Sequence, residues 1–180
     1  AGMEERFGFI HEKLDIKILI LFVLRRLPGV VDRNVLSDLV QQCDGGVGYF
    51  DYSDCLYELV DAGQVSEEED GFRITDKGAV NGETVESSLP YSVRKKAEKV
   101  VAPEAERLRR LAMLTAEHRL NGGNCTVILA MDDGQGEILR LELLVADEEQ
   151  AKRMEKYFKK NAETLYGDLI EKLDSRTDKH

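Results

Sequence analysis

From Leu14 to Leu27 the chain reads L-D-I-K-I-L-I-L-F-V-L-R-R-L, an apolar middle flanked by Asp15, Lys17, Arg25 and Arg26. A buried strand would suit the middle alone, but the length of the segment favours a helix, and one apolar nearly all round is buried on most sides. Pro28-Gly29 stops it. Asp32 suits an N-cap, and Val35, Leu36, Leu39 and Val40 follow at helical spacing, which predicts a second helix to about Gln42. Gly45-Gly46-Val47-Gly48 is a loop. Asp51 suits the N-cap of a third helix whose inward face is Cys55, Leu56, Leu59, Val60 and Ala62, and Gly63 suits the left-handed residue that ends it. Val65 and the pair Phe72 and Ile74 flank the turn signal Asp70-Gly71, the pattern of a short hairpin. Thr75-Asp76-Lys77-Gly78 opens a weak helix to about Ser88, interrupted by Asn81-Gly82.

Ser92 to Leu120 reads as one long helical segment, bent at Pro103, where a helix interior lacks an amide hydrogen. Val100, Leu108, Leu111 and Leu114 belong to its apolar stripe, and Asn121-Gly122-Gly123 ends it. Cys125 to Met131 and Glu137 to Val145 are strands around D-D-G-Q-G. In the second, Leu139, Leu141, Leu143 and Val145 share a face opposite Arg140 and Glu142. Asp147, with Gln150 three residues on, caps a last helix whose inner face is Ala151, Met154, Phe158, Leu165, Leu169 and Leu173. The tail after Asp174 is polar and reads as frayed. One hairpin is marginal in water, so these strands must pack on helices or pair with further strands. The long helix, the hairpin and the last helix together make a small α+β module, and its stripes suit a homodimer across a two-fold axis.

Composition adds limits. The chain has 180 residues and is 42% hydrophobic, enough to bury a core. Its longest apolar run, Ile18 to Leu24, is too short to span a membrane. Met3 is followed by E-E-R-F-G, which is no signal peptide. Cys43, Cys55 and Cys125 are odd in number and scattered, the usage of a reducing cytoplasm rather than of a disulfide framework. The net charge is −10, and it is unevenly placed. Residues 1–90 hold 8 Lys and Arg against 18 Asp and Glu, whereas residues 91–180 hold 17 of each. That shift places a domain boundary near Pro90, dividing the chain into residues 9–90 and 91–174.

S-D-C-L-Y-E-L-V-D-A-G-Q-V followed by F-R-I-T-D-K-G resembles the pattern of winged-helix transcription regulators: a small residue, spaced leucines, a Gly-x-Val, a wing and a closing x-Leu-Thr-x-x-Gly. The opening F-I-H-E-K-L-D-I-K-I-L-I-L-F-V-L and the later Y-F-D-Y-S-D-C-L-Y-E-L are similar to a narrower bacterial family of winged-helix proteins catalogued only as a domain of unknown function. The resemblance runs from about Phe9 to Leu173. It implies an α+β fold in which an N-terminal winged helix-turn-helix is followed by a long helix, a β-hairpin and a C-terminal helix. It also implies duplex DNA as partner, met by the third helix, Asp51 to Ala62. The outward positions it implies are Tyr52, Ser53, Asp54, Tyr57 and Glu58, and Tyr49 joins them as a candidate for DNA or partner contact because aromatic residues are enriched at interaction surfaces. The places of Asp54 and Tyr57 often hold Arg, Lys or Gln in members that bind DNA, and here the pattern departs.

Asp51 to Ala62 has no Lys or Arg, and the hairpin tip is Glu67-Glu68-Glu69-Asp70. Phosphate contacts supply most non-specific affinity for DNA, and acids oppose it. An acid can still accept from cytosine in the major groove if cations lie around it. The cations available are Arg25, Arg26 and Arg33, the cluster Arg94, Lys95, Lys96 and Lys99, and Arg107, Arg109 and Arg110. Two readings therefore stand: a homodimeric regulator of transcription that binds duplex DNA, or an interaction module whose acidic face meets a basic protein. Enzyme chemistry has no support. His11, His118 and His180 join no metal spacing, the glycine loop lacks the Lys-Ser/Thr of a phosphate-binding loop, and no cofactor motif is present.

Overall fold

The computed structural model describes residue 10 and residues 12–175; Phe9, His11 and His180 lie outside them. The fold is α+β. Its first half runs α1 (Lys13–Arg25), α2 (Arg33–Cys43), α3 (Tyr49–Asp61), β1 (Val65–Glu68), β2 (Gly71–Ile74) and α4 (Asp76–Val85), then a single 3₁₀ turn at Glu86–Ser88. The second half runs α5 (Tyr91–Ala112), β3 (Leu114–Asn121), β4 (Asn124–Asp132), β5 (Glu137–Val145) and α6 (Glu148–Asp174). The chain divides into two compact units between Leu108 and Arg109. The composition shift at Pro90 falls earlier because Val93, Ala97, Val101 and Ala105 of α5 are buried in the core of the first unit.

That core is built around α1. Ile16 and every residue from Ile18 to Leu24 are buried, as an all-round apolar helix requires. α2, α3, α4, β2 and the 3₁₀ turn all contact it. Asp32 caps α2 by accepting from the backbone N–H groups of Asn34 and Val35, and so satisfies donors that a helix start leaves open. α3 begins earlier than expected. Gly48 is its N-cap, without a side-chain bond, so Asp51 sits in the first turn rather than capping it. Its end follows the expected glycine motif: Gly63 has φ +70°, the Gly63 N–H donates to Val60 O and the Gln64 N–H to Leu59 O.

The hairpin β1–β2 closes tightly, with Glu68 opposite Gly71. It also gains a third partner, because Val31 and Phe72 exchange two backbone hydrogen bonds, 2.8 and 2.9 Å long. At Gly71 a Cβ would lie 1.9 Å from Val31 O, so only glycine admits this pairing. α4 is capped by Thr75, which accepts from the Gly78 N–H. Gly78 lies so close to the preceding turn that a Cβ would be 2.0 Å from Gln64 O.

The second unit differs most from expectation. The long helix stops at Ala112, and Leu114–Asn121 is a strand. The module is therefore a three-stranded antiparallel sheet, ordered β3-β4-β5, and not a lone hairpin. Leu114, Ala116, His118 and Leu120 alternate with Thr115, Glu117 and Arg119, a period of two that helical spacing through Leu108, Leu111 and Leu114 had masked. Gly122-Gly123, both at positive φ, form the two-residue turn of the β3–β4 hairpin. Cys125, Val127, Leu129 and Met131 of β4 face α6 and pack with Ala151, Phe158 and Ala162. Asp147 caps α6 by accepting from the Gln150 N–H, and Gln150 Oε1 accepts from the Ala146 N–H. The added strand closes one more link. His118 of β3 hydrogen-bonds Glu155 of α6 through Nδ1 and lies 3.5 Å from Glu148 through Nε2.

Two outcomes follow. Gly78→Ala should lose about 2–4 kcal/mol of stability in urea unfolding, because a Cβ strikes backbone there. Gly45→Ala, where nothing lies within 4 Å of the built Cβ, is the neutral control; equal loss at both positions would contradict the packing. The His118 pKa is raised above its ordinary 6.5 first by the hydrogen bond to Glu155; burial opposes this, and the charges of Glu155 and then Glu148 add to the rise. A raised cation stabilises the fold fully below its unfolded pKa and less as pH rises through the folded one. Wild type should therefore exceed His118→Gln in thermal midpoint at about pH 6, with the gap closing towards about pH 8.5. A gap constant over that range would refute the link.

Candidate functional site

α3 presents two different faces. Tyr52, Cys55, Leu56 and Leu59 are buried, at the i, i+3, i+4, i+7 spacing of a core stripe. Tyr52 was expected among the contact residues, and this is corrected: it is 3% exposed. Burial pushes its phenol pKa up, and its hydroxyl has no hydrogen-bond partner among the described residues. Ser53 is half-buried. Tyr49, Phe50, Asp51, Asp54, Tyr57, Glu58 and Asp61 face outward. Phe50 is the extreme case at 82% exposure.

The acids of α3 are not left to repel freely. Lys13 of α1 stands 3.6 Å from Asp54, and Lys17 pairs with Glu58. The hydrogen bond and charge of Lys17 hold the Glu58 carboxyl below its ordinary range. Exposed pairs of this kind are worth only about 0–1 kcal/mol, but they set a countercharge against Asp54 and Glu58, leaving Asp51 and Asp61 of α3 without one among the described residues. Lys13 and Lys17 are not among the cations expected beside α3. Their signal was their four-residue spacing on α1, matched by that of Asp54 and Glu58 on α3.

Tyr57 belongs to a cluster that ties α3 to the hairpin. Its ring meets Phe72 edge-on, with centroids 6.1 Å apart at 81°, a favoured aromatic geometry. Its hydroxyl donates to Glu67 Oε1 over 3.4 Å. Arg33 Nη1 donates to the same oxygen at 2.6 Å, and Nη2 to Glu68 O at 3.2 Å. The Arg33 guanidinium also lies 4.9 Å from the Phe72 ring centroid. The Glu67 hydrogen bond raises the Arg33 pKa. Arg73 completes the set at 3.0 Å from Glu68. The acidic hairpin is thus held by Arg33 of α2 and by its own Arg73.

The other candidate phosphate contacts fall into two groups. Arg25 and Arg26, at the end of α1, both bind Glu86. Burial would raise the Glu86 carboxyl, but the hydrogen bonds and charges of Arg26 and Arg25 outweigh it and lower its pKa. Arg26 also lies 3.4 Å over the Phe22 ring. On α5, Arg94 donates to Leu89 O over 3.2 Å, and Lys95 pairs with Glu98 at 3.3 Å. Lys96 and Lys99 are exposed. The structure therefore gathers Tyr57, Arg33 and the hairpin into one place. It commits Arg25, Arg26 and Arg33 to internal ion pairs.

Residues 16–173 match the family model described as "Domain of unknown function (DUF4364)". The chain belongs to the DUF4364 family. The comparisons with curated proteins and with solved structures each found no match. The DUF4364 match covers both units, from within α1 to the last turn of α6. Among the described residues of this DUF4364 chain, no group of three His, Cys, Asp or Glu side chains is placed to hold a metal. No described helix is long and apolar enough to cross a membrane. A cavity of about 260 Å³ in the second unit, among Ala112, Met113, Thr115, Ala130, Met131, Asp132 and Glu137, is smaller than most ligand pockets.

The burial of Tyr52 has a direct consequence. Tyr52→Phe removes an unpartnered buried hydroxyl and should leave stability unchanged or raise it by about 1 kcal/mol. It should not alter binding of any partner by α3. A clear loss of stability in urea unfolding would mean that the hydroxyl is bonded.

Proposed function

We propose that this chain is a winged helix-turn-helix regulator of transcription that meets duplex DNA through the outward face of α3. The observation that carries the reading is the way α3 is mounted. Three helices are followed at once by a hairpin, the segment before α2 joins that hairpin through a single bridge between Val31 and Phe72, and Tyr57 of α3 meets the Phe72 ring. This supports the winged-helix reading of the first unit, with β1–β2 as the wing. Asp54, Tyr57 and Glu58 are the outward residues that would face base edges, with Ser53 at the margin; Tyr49 and Phe50 flank them. Lys13 and Lys17 reduce the repulsion that two acids would otherwise exert. A carboxylate accepts from cytosine and a phenol contacts phosphate, so such a face is chemically able to read DNA. Paired half-sites would call for a homodimer, and the exposed Leu120, Leu144, Ile170 and Leu173 of the second unit provide apolar surface for one.

A second reading has its own support. Arg25, Arg26 and Arg33 are spent on internal carboxylates, while Tyr49 and Phe50 stand exposed beside acids. Exposed aromatics ringed by acids suit a basic protein surface. On this reading α3 is a protein-interaction face and does not touch DNA.

One experiment separates them. Fragmented genomic DNA from the source organism is bound at low salt, eluted at rising salt and sequenced. The regulator reading expects a selected sequence whose affinity falls steeply with salt, and Tyr57→Ala should change that sequence at a cost of about 1–3 kcal/mol. Retention without any sequence preference, or no retention, rejects it and leaves the protein-partner reading.

A further inference from the structure

The cations of this protein are mostly spoken for. Arg25, Arg26, Arg33, Arg73, Arg107, Arg110, Arg119 and Arg140 each lie within 4.0 Å of a carboxylate. Lys13, Lys17 and Lys95 do too. Lys96, Lys99 and Arg109 are exposed without a carboxylate within 4.0 Å among the described residues, but the longest run of such cations lies on the outer face of α6. Its stretch K-R-M-E-K-Y-F-K-K, Lys152 to Lys160, carries five cations and one acid. All five cations are exposed. Lys152 pairs with Glu148 at 2.9 Å. Arg153, Lys156, Lys159 and Lys160 have no carboxylate within 4.0 Å among the described residues. The single acid, Glu155, is turned towards the sheet and bound to His118.

The spacing makes this a built surface. Lys152, Lys156 and Lys160 form one line at four-residue intervals, flanked by Arg153 and Lys159. The line spans about 12 Å along the helix. Ala151, Phe158 and Ala162 fix the opposite side of the helix against β4, so the cations point straight out from a rigid support. Tyr157, 55% exposed, stands among them. Asn161 leaves helical geometry at φ −128° and ψ 15°, directly after the last of the five. Like charges at i, i+4 destabilise an unbound helix, and a row of anions would relieve that repulsion.

We propose that this face of α6 is a contact for the phosphate backbone of duplex nucleic acid. Lysines on flexible stems act as point charges for phosphates and carry no base specificity, and an exposed tyrosine adds a phosphate donor. An anionic membrane fits less well, because the apolar side that would enter a bilayer is occupied by the sheet. The inference deepens the DNA reading by naming where backbone is held, but it concerns sequence-independent binding and is tested apart from α3.

The test uses the whole protein and a random-sequence duplex of about 30 base pairs, by fluorescence anisotropy from roughly 25 to 200 mM salt. The variant is Arg153→Gln, Lys156→Gln, Lys159→Gln and Lys160→Gln together, with circular dichroism to verify the fold. A control, Arg119→Gln with Arg140→Gln, removes sheet cations already paired with Glu117, Glu137 and Glu142. Wild type should bind with a salt slope of about −3 to −4. The α6 variant should bind at least about tenfold more weakly with a slope flatter by about 3, and the control should change little. An unchanged α6 variant overturns the proposal while leaving sequence selection by α3 intact. Wild type that ignores the random duplex overturns it as well. So does salt-sensitive self-association lost in the α6 variant, which would assign the stripe to the acidic face of a second copy. Binding through α6 without any selected sequence keeps this site and defeats the regulator reading.

Discussion

A helix apolar on every side can exist in water only if something covers every side, and α1 imposes that condition on the first unit. Each of its buried large side chains contributes about 1.5–3 kcal/mol when fully shielded. No single neighbour can shield them all. α2, α3 and α4 therefore lie around α1, and the buried stripe of α5 joins the same core. The placement of α3 follows from this. Its inward stripe, including Tyr52, is committed to the core built around α1, so only Asp54, Tyr57, Glu58 and their neighbours are left for a partner. The polar ends of α1 then supply the countercharges: Lys13 and Lys17 for α3 near one end, Arg25 and Arg26 for Glu86 at the other.

Much of this architecture was legible in the chain. The all-round apolar run announced α1, Asp32 and Asp147 announced two helix starts, and Gly63 announced the end of α3. What failed did so for identifiable reasons. Leu108, Leu111 and Leu114 continue a helical stripe while Leu114, Ala116, His118 and Leu120 begin an alternating one, and the two periods overlap at a single leucine. The glycines at 122 and 123 fit a helix stop as well as a hairpin turn. Asp51 looked like a cap because Gly48, the residue at the true start, carries no capping side chain. Tyr52 was assigned outward although it stands three residues before Cys55 and four before Leu56, which are the marks of the buried face.

The electrostatics of the site were less legible, because ion pairs join residues far apart in sequence. Arg33 and Glu67 are 34 residues apart, and Arg25 and Glu86 are 61 apart. A count of charges by halves made residues 1–90 look uniformly repulsive to DNA. The folded arrangement sets the few cations against Asp54, Glu58, Glu67, Glu68 and Glu86, and the excess of acids remains. Composition set the total; only the tertiary contacts showed which acids have a countercharge.

The reach of the α1 core across the sequence also bears on synthesis. α1 is synthesised before its cover is complete: Leu89, Val93, Ala97, Val101 and Ala105 follow some 60 to 80 residues later. At roughly 5–20 residues per second, the most apolar segment of the protein waits on the order of ten seconds for its last partner. During that interval its apolar sides lack part of their cover. The second unit, a meander closed by the helix that follows it, has no such wait: its sheet pairs neighbours in sequence and can form as it emerges.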